Sequence, residues 1–292
     1  MKLILSRKGF HSSAGGTPSP ILPDGRMVCL PIPDKQSPIR YADIKIDGEN
    51  IAQLVTDLTH GRIPPHFGAH RAPDLSAGSL PRLDGWRPMF GQTGAAQGHL
   101  FKNGVQAGDL FLFFGLFRRT TSANGKYAWL KGWPLIHVIW GWLQIGEVLP
   151  VDISNGLLHD WAAYHPHCHR GPDRNNVLYV SSKHLSLGQG VLEDICGAGI
   201  FPKFSDSRQL TATLAPNPSL WELPEWFFPR NGRRPLTYHA DPGRWRRIEH
   251  GTELRATARG QEFILDCDEY PEAHSWLSTL LPFSRRDCAG DS

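Results

Sequence analysis

Two long apolar runs, residues 110–117 (LFLFFGLF) and 136–148 (IHVIWGWLQIGEV), carry the strongest pattern in the chain. Phe, Val, Ile and Trp dominate both, and such side chains suit a pleated, half-buried surface better than a helix. The polar segment between them holds Ser122, Asn124, Gly125 and Lys126, and Asn-Gly tolerates the positive φ of a tight turn. The pattern predicts two long strands pairing antiparallel across a long, irregular connection. Alternation along the second run puts His137, Ile139, Gly141, Leu143, Ile145 and Glu147 on one face. Val138, Trp140, Trp142, Gln144, Gly146 and Val148 fall on the other. Both faces carry apolar bulk, which fits a covered or closed sheet such as a small barrel.

Shorter patterns flank this ribbon. Residues 2–7 (KLILSR) and 177–181 (VLYVS) read as buried strands, and 261–265 as a closing one. Asp24-Gly25 marks the turn of a hairpin over 20–30. Helical spacing appears at 50–58, where Ile51, Leu54, Val55 and Leu58 share a stripe, and at 94–102, ended by Gly104. A third helix is expected over 271–281, with Ala273, Trp276, Leu277, Leu280 and Leu281 on one face and Pro271 near its start. No repeat, linker or composition break divides the chain. The expectation is a single α+β, β-rich domain over residues 1–285, with a barrel core at about 94–215, flanking helices and long loops. Residues 286–292 read as a disordered tail.

Totals narrow the class more than the function. A chain of 292 residues can bury a sizeable core. No apolar run approaches the roughly 18 residues that cross a bilayer, so no membrane partner is expected. Charge returns soon after Leu3, Ile4 and Leu5, so no secretory signal is read. Five scattered cysteines without a CxxC pair suit reduced thiols, and a cytoplasmic location is expected. A net charge of +3 is too small to identify a nucleic-acid partner by itself.

Chemistry-bearing residues gather in loops. Arg7, Lys8, Ser12 and Ser13 surround a glycine-rich turn after the first strand, a candidate nest for phosphate or carboxylate. Pro18, Pro20 and the missing Walker spacing exclude a nucleotide P-loop. His70 and Asp74 in one Pro-rich loop, with His165 and His167 in another, are the candidate catalytic residues. His70, Asp74 and His167 would supply the two imidazoles and one carboxylate that suit a divalent Fe, Mn or Zn ion. Imidazoles in such loops also serve simply by bonding buried backbone. Six arginines between 230 and 247 meet one acid, Asp241. Arg244, Arg246 and Arg247, interleaved with Trp245, suit contacts to nucleic-acid phosphates and bases. Gln92, Gln97 and His99 flank a helix start, where they would reach the edge of an extruded base. No GxSxG, HExxH, GxGxxG or HxE with PCxxC appears.

Two resemblances sharpen these expectations. Gly108-Asp109 before the strand at 110–113, then Gly141, Gly146, Glu147 and Val148, resemble the PUA-like barrels, including the ASCH and EVE modules that hold RNA or extruded DNA bases. SRKGF with SSAGG, then PSPI, PDGRM and LPIPD, look like the opening of the nucleotide modification associated domain family, third type. GWRPMFGQTGAAQGHL, GDLFLFFG, HVIWGWLQIGEV, HPH, NNVLYV, SLWELPEWFFP and RGQEFILD extend that similarity as far as Asp266. The resemblance implies a place in a bacterial or phage DNA-modification pathway, with DNA or a nucleotide as partner and other proteins of a modification complex beside it. It also implies two departures. His11 stands where the family tends to carry Asp, and Ala72 replaces the first acid of a His-x-Asp-Pro-Asp pattern whose second acid is Asp74. If relatives use those acids as bases or ligands, the site is altered in this chain.

The expected function is to bind or modify a nucleobase. The alternatives are a metal-dependent enzyme acting on a small molecule and a non-catalytic interaction subunit. All lean on one geometric expectation: the loops around residues 8, 70, 92 and 167 converge on one cationic, imidazole-lined hollow.

Overall fold

The ribbon predicted from the two apolar runs is the spine of the molecule. In the computed structural model, which describes residues 1–151, 158–188, 190–230 and 232–281, strand Leu110–Ala123 pairs antiparallel with strand Ile136–Pro150. The expected tail at 286–292 lies outside the described residues. Strand Lys126–Trp129 folds back on the first strand of the ribbon, with Asn124 and Gly125 at φ 53 and 74° making the turn. Strand Lys2–Arg7 lies parallel to Leu110–Ala123 and antiparallel to strand Glu262–Asp266. Beyond Ile136–Pro150 come strand Val177–Ser181 and then strand Met89–Gln92. Strands Ser19–Ile21 and Ala198–Ile200 attach to the spine as well, making nine strands in one sheet. Leu3, Ile4 and Leu5 are fully buried because neighbours flank their strand on both edges and aromatic side chains cover it.

Bulges modify the alternation read from the sequence. Pairing register shifts between Ile139 and Gly141 and again between Ile145 and Glu147. Each shift carries following residues to the opposite face, so the two faces drawn from strict period two do not persist along the strand. Trp140 stands at the first shift.

The expected barrel is not found. The sheet ends in Met89–Gln92 on one side and Glu262–Asp266 on the other, and these strands share no backbone ladder. Side chains bridge them instead, Gln92 Nε2 donating to Glu262 Oε1 at 2.6 Å. Lys8 stands in the gap, its Nζ 2.8 Å from Glu262 and 4.5 Å from the Phe90 ring centre. Side chains fill the space where the two backbones do not pair, and the sheet stays open.

Aromatic rings hold the curl. Phe114 packs edge-on against Trp221 at 5.0 Å and stacks with Phe263 at 6.1 Å. Full burial of each such side chain stabilises by roughly 1.5–3 kcal/mol. A second apolar cluster, with Phe10, Leu30, Tyr41 and Val55, gathers around helix Ala52–Leu58. Helices Gly94–Lys102 and Glu272–Leu280 match their predicted positions. The expected hairpin over 20–30 keeps its turn, with Gly25 at φ 85°, but Ser19–Ile21 pairs with the spine and only Ile21 bridges back to Met27. Strands Leu220–Leu223, Trp245–Ile248 and Gly251–Arg255 form a separate small sheet. Among the described residues no helix is long and apolar enough to cross a membrane.

Candidate functional site

A cavity of about 420 Å³ opens beside the gap in the sheet, within the size range of small-molecule sites. Lys8, His70, Gln92 and His167 all line it, so the four loops do meet at one hollow. Leu30 of the second apolar cluster faces Phe90, Trp140 and Phe201 of the main one across this space. The wall is thus part apolar and part cationic, with Arg7, Lys8, Arg71 and Arg170 against one acid, Asp47.

Local pairing fixes the two imidazoles. Strand Ala69–His70 pairs with strand Ile32–Pro33, with Ile32 opposite His70 and Asp34, two residues on, on the same face. His70 Nδ1 lies 2.9 Å from Asp34 Oδ2. That hydrogen bond holds the Asp34 carboxyl down at about 2. His167 sits in the 3-10 turn Pro166–His169, which His165 opens by accepting the His167 backbone N–H. Asn176 donates its amide to the His167 carbonyl, so its Oδ1, 2.6 Å from His167 Nδ1, is an acceptor. Both imidazoles therefore carry hydrogen on Nδ1 and, when uncharged, a lone pair on Nε2. The two rings are 5.1 Å apart, centre to centre. Burial, and then the neighbouring His70, pulls the His167 pKa down to about 3. Gly91, paired with Leu178, passes directly behind the His167 ring, and a Cβ there would overlap the His167 and His165 imidazoles.

Each cation but Arg7 has its carboxylate behind the wall. Lys8 is backed by Glu262, Arg71 donates Nε to Asp74 at 2.9 Å, and Arg170 lies 3.9 Å from Asp34. Arg7 spends Nη2 on the Ala258 and Gly260 carbonyls, and burial lowers its pKa. Beyond the bond to Asp74, Arg71 has no further hydrogen-bond partner among the described residues, so both Nη atoms remain available as donors. Arg170 is 37% exposed at the rim.

Several predicted residues stand elsewhere. Asp74 is fully buried outside the cavity wall, accepting from Arg71, Arg82, Tyr164 and Ser79. Burial raises its pKa, but Arg71 and Arg82 pull it below the ordinary carboxylate value. A carboxylate so fully engaged has no lone pair left over for a metal. Among the described residues no three His, Cys, Asp or Glu side chains are placed to hold a metal ion, so His70, Asp74 and His167 are not one ligand set. His165 is buried behind His167, with burial and then His167 pulling its pKa well down. Ser12 and Ser13 are exposed at a turn closed by the His11–Ala14 bridge, while His11 itself reaches the wall. Gln97 accepts from Tyr179 inside the core, and His99 meets Thr237 and Tyr238. The Gln92 amide is already committed, donating to Glu262 and accepting from the Thr93 N–H. Arg246 and Arg247 lie on the small sheet and Arg244 in the turn before it, and none of the three lines the cavity.

A family model described as nucleotide modification associated domain 3 matches residues 2–266. The chain belongs to that family. The description ties nucleotide modification associated domain 3 to nucleotide modification, and the match spans every residue that lines the cavity. No curated protein and no solved structure matches the chain.

Sequence reasoning missed Asp34, Asn176, Arg71 and Arg170. Asp34 sits in a Pro-rich turn and Asn176 in a polar loop, where either residue is ordinary turn chemistry. Their roles come from contacts across the chain, for which no local signal exists. Arg71 alone carried one, standing three residues before the acid it pairs with.

Proposed function

We propose that this chain binds a nucleotide in the cavity and that the base of that nucleotide is the group acted upon. One observation carries the reading: His70, His167, Arg71 and Arg170 meet at a single hollow that also offers Phe90 and Trp140 as apolar walls. An anionic phosphate suits the Nη donors that Arg71 leaves free of Asp74 and the rim guanidinium of Arg170. A flat base suits the aromatic wall and the imidazoles. His70, oriented through Nδ1 by Asp34, is the proton acceptor in any chemistry on the base, because a fixed tautomer presents Nε2 to the cavity. The family description supports a nucleotide as the ligand class. A single bound nucleotide is favoured over a long DNA track, since the arginines of the small sheet are not part of this wall.

Calorimetric titration of the protein with the common deoxynucleoside monophosphates tests the reading. Binding is expected, weakened roughly tenfold in R170A by loss of a charge-assisted contact. H70A should bind nucleotide yet fail in any modification reaction. No binding by any nucleotide, or binding indifferent to changes at both Arg170 and His167, ends the proposal.

A further inference from the structure

The two imidazoles of the cavity wall specify more than a ligand class. Asp34 and Asn176 each take the Nδ1 hydrogen of one ring, so with both rings uncharged the remaining nitrogens are both acceptors. Among the described residues neither Nε2 has a hydrogen-bond partner, and both residues face the cavity. Two acceptors side by side reject a carbonyl oxygen, which would leave three lone-pair-bearing atoms facing one another out of water. They suit a group with two N–H donors on one atom. Two bonds of about 2.9 Å diverging at about 120° reach acceptors roughly 5 Å apart, so two rings whose centres lie 5.1 Å apart, with planes at 60°, are near enough to share one amino group.

Resting on the nucleotide reading above, we infer that the base taken by this cavity carries an exocyclic amino group, held between Nε2 of His70 and Nε2 of His167. Cytosine, adenine and guanine qualify; thymine and uracil do not. Gln92, the residue whose amide would ordinarily read a base edge, is anchored by Glu262 and Thr93 and keeps one amide hydrogen and one lone pair. The imidazole pair adds two acceptors to this side of the cavity. Burial keeps His167 uncharged at neutral pH, so its Nε2 stays an acceptor.

The test removes the amino group and little else. Calorimetry at pH 8, where an ordinary imidazole is uncharged, compares deoxyadenosine monophosphate with its purine analogue carrying hydrogen in place of the amine. Deoxycytidine monophosphate is compared with its pyrimidin-2-one analogue in the same way, with a chelator present to exclude metal bridging. Each analogue is expected to bind at least roughly tenfold more weakly, the loss of one or two hydrogen bonds. In H167F, which keeps a flat ring without the lone pair, the preference should fall toward one. Equal binding of the matched pairs, or thymidine monophosphate binding as tightly as the amino-bearing nucleotides, overturns the inference and leaves the nucleotide reading standing. If no nucleotide binds at all, both fall together.

Discussion

Around the cavity, Lys8 and Arg71 are about nine-tenths buried, and each is tied to a carboxylate that is itself buried, Glu262 or Asp74. On the small sheet, Arg246 and Arg247 are exposed, Arg246 meeting Glu253 and Arg247 lying over the Phe228 ring at 4.6 Å. Both regions are rich in Arg and aromatic side chains, and the basic run on the small sheet is the denser of the two. Burial separates them. A cation held in a low-dielectric wall with a fixed partner is poised toward one small ligand, whereas an exposed guanidinium is screened and mobile. Density of charge along the chain thus points to the less specific surface.

Acid breaks this contrast most severely. His137, His165, His167 and His239 are buried with pKa values pulled down, to about 3 for His137 and His167 and about 4 for His239. The unfolded chain takes up protons below pH 6.5 that the folded chain refuses. Stability is therefore lost as pH falls from 6.5 toward 4, by up to about 1.4 kcal/mol per pH unit for each such imidazole. Urea denaturation at pH 7.5, 6 and 5 measures this, and a flat profile would contradict the buried neutral state. Asp34 acts only lower down, where its depressed carboxyl loses its contribution as pH drops below the ordinary carboxylate range.

The next largest effect is expected for D74A. It strands Arg71 and Arg82 in a buried setting, for a loss of about 3–5 kcal/mol, readable as a shift in the urea midpoint. A change below 1 kcal/mol would contradict the role of Asp74 as the buried partner of Arg71 and Arg82. G91A should cost about 1–3 kcal/mol, because the new Cβ must displace the His167 ring. It should also weaken nucleotide binding more than its stability loss explains. On the small sheet, replacing Arg244, Arg246 and Arg247 by Ala should shift stability by no more than about 0.5 kcal/mol each. Mononucleotide affinity should stay unchanged, and a measurable drop would join the two regions into one site.

Much of the fold was legible because its signals are local. Strand Lys2–Arg7 and helix Gly94–Lys102 fall where their patterns put them, and the antiparallel ribbon follows from two apolar runs with Asn-Gly chemistry between them. Closure of the sheet was not legible. It depends on whether residues near 90 and near 262 pair, which rests on contacts between distant segments, among them those of Lys8 with Glu262 and Phe90. Convergence of His70 and His167 was anticipated from residue type, but the partners that fix their tautomers were not. Asp74 misled for the opposite reason: an acid near histidines looks like chemistry until Arg71 and Arg82 are seen to enclose it.

Leu3 pairs with Leu110 on one side and Leu265 on the other. Strand Lys2–Arg7 must therefore wait for residues 262–266, far along the chain, before both its edges are covered. Until then an apolar strand beside a Phe-rich neighbour stays open along one side, the condition under which nascent chains pair wrongly. A stalled or shortened product lacking residues 262–266 would lose the outer neighbour of its first strand and, with Glu262, the anchor of Lys8 and Gln92.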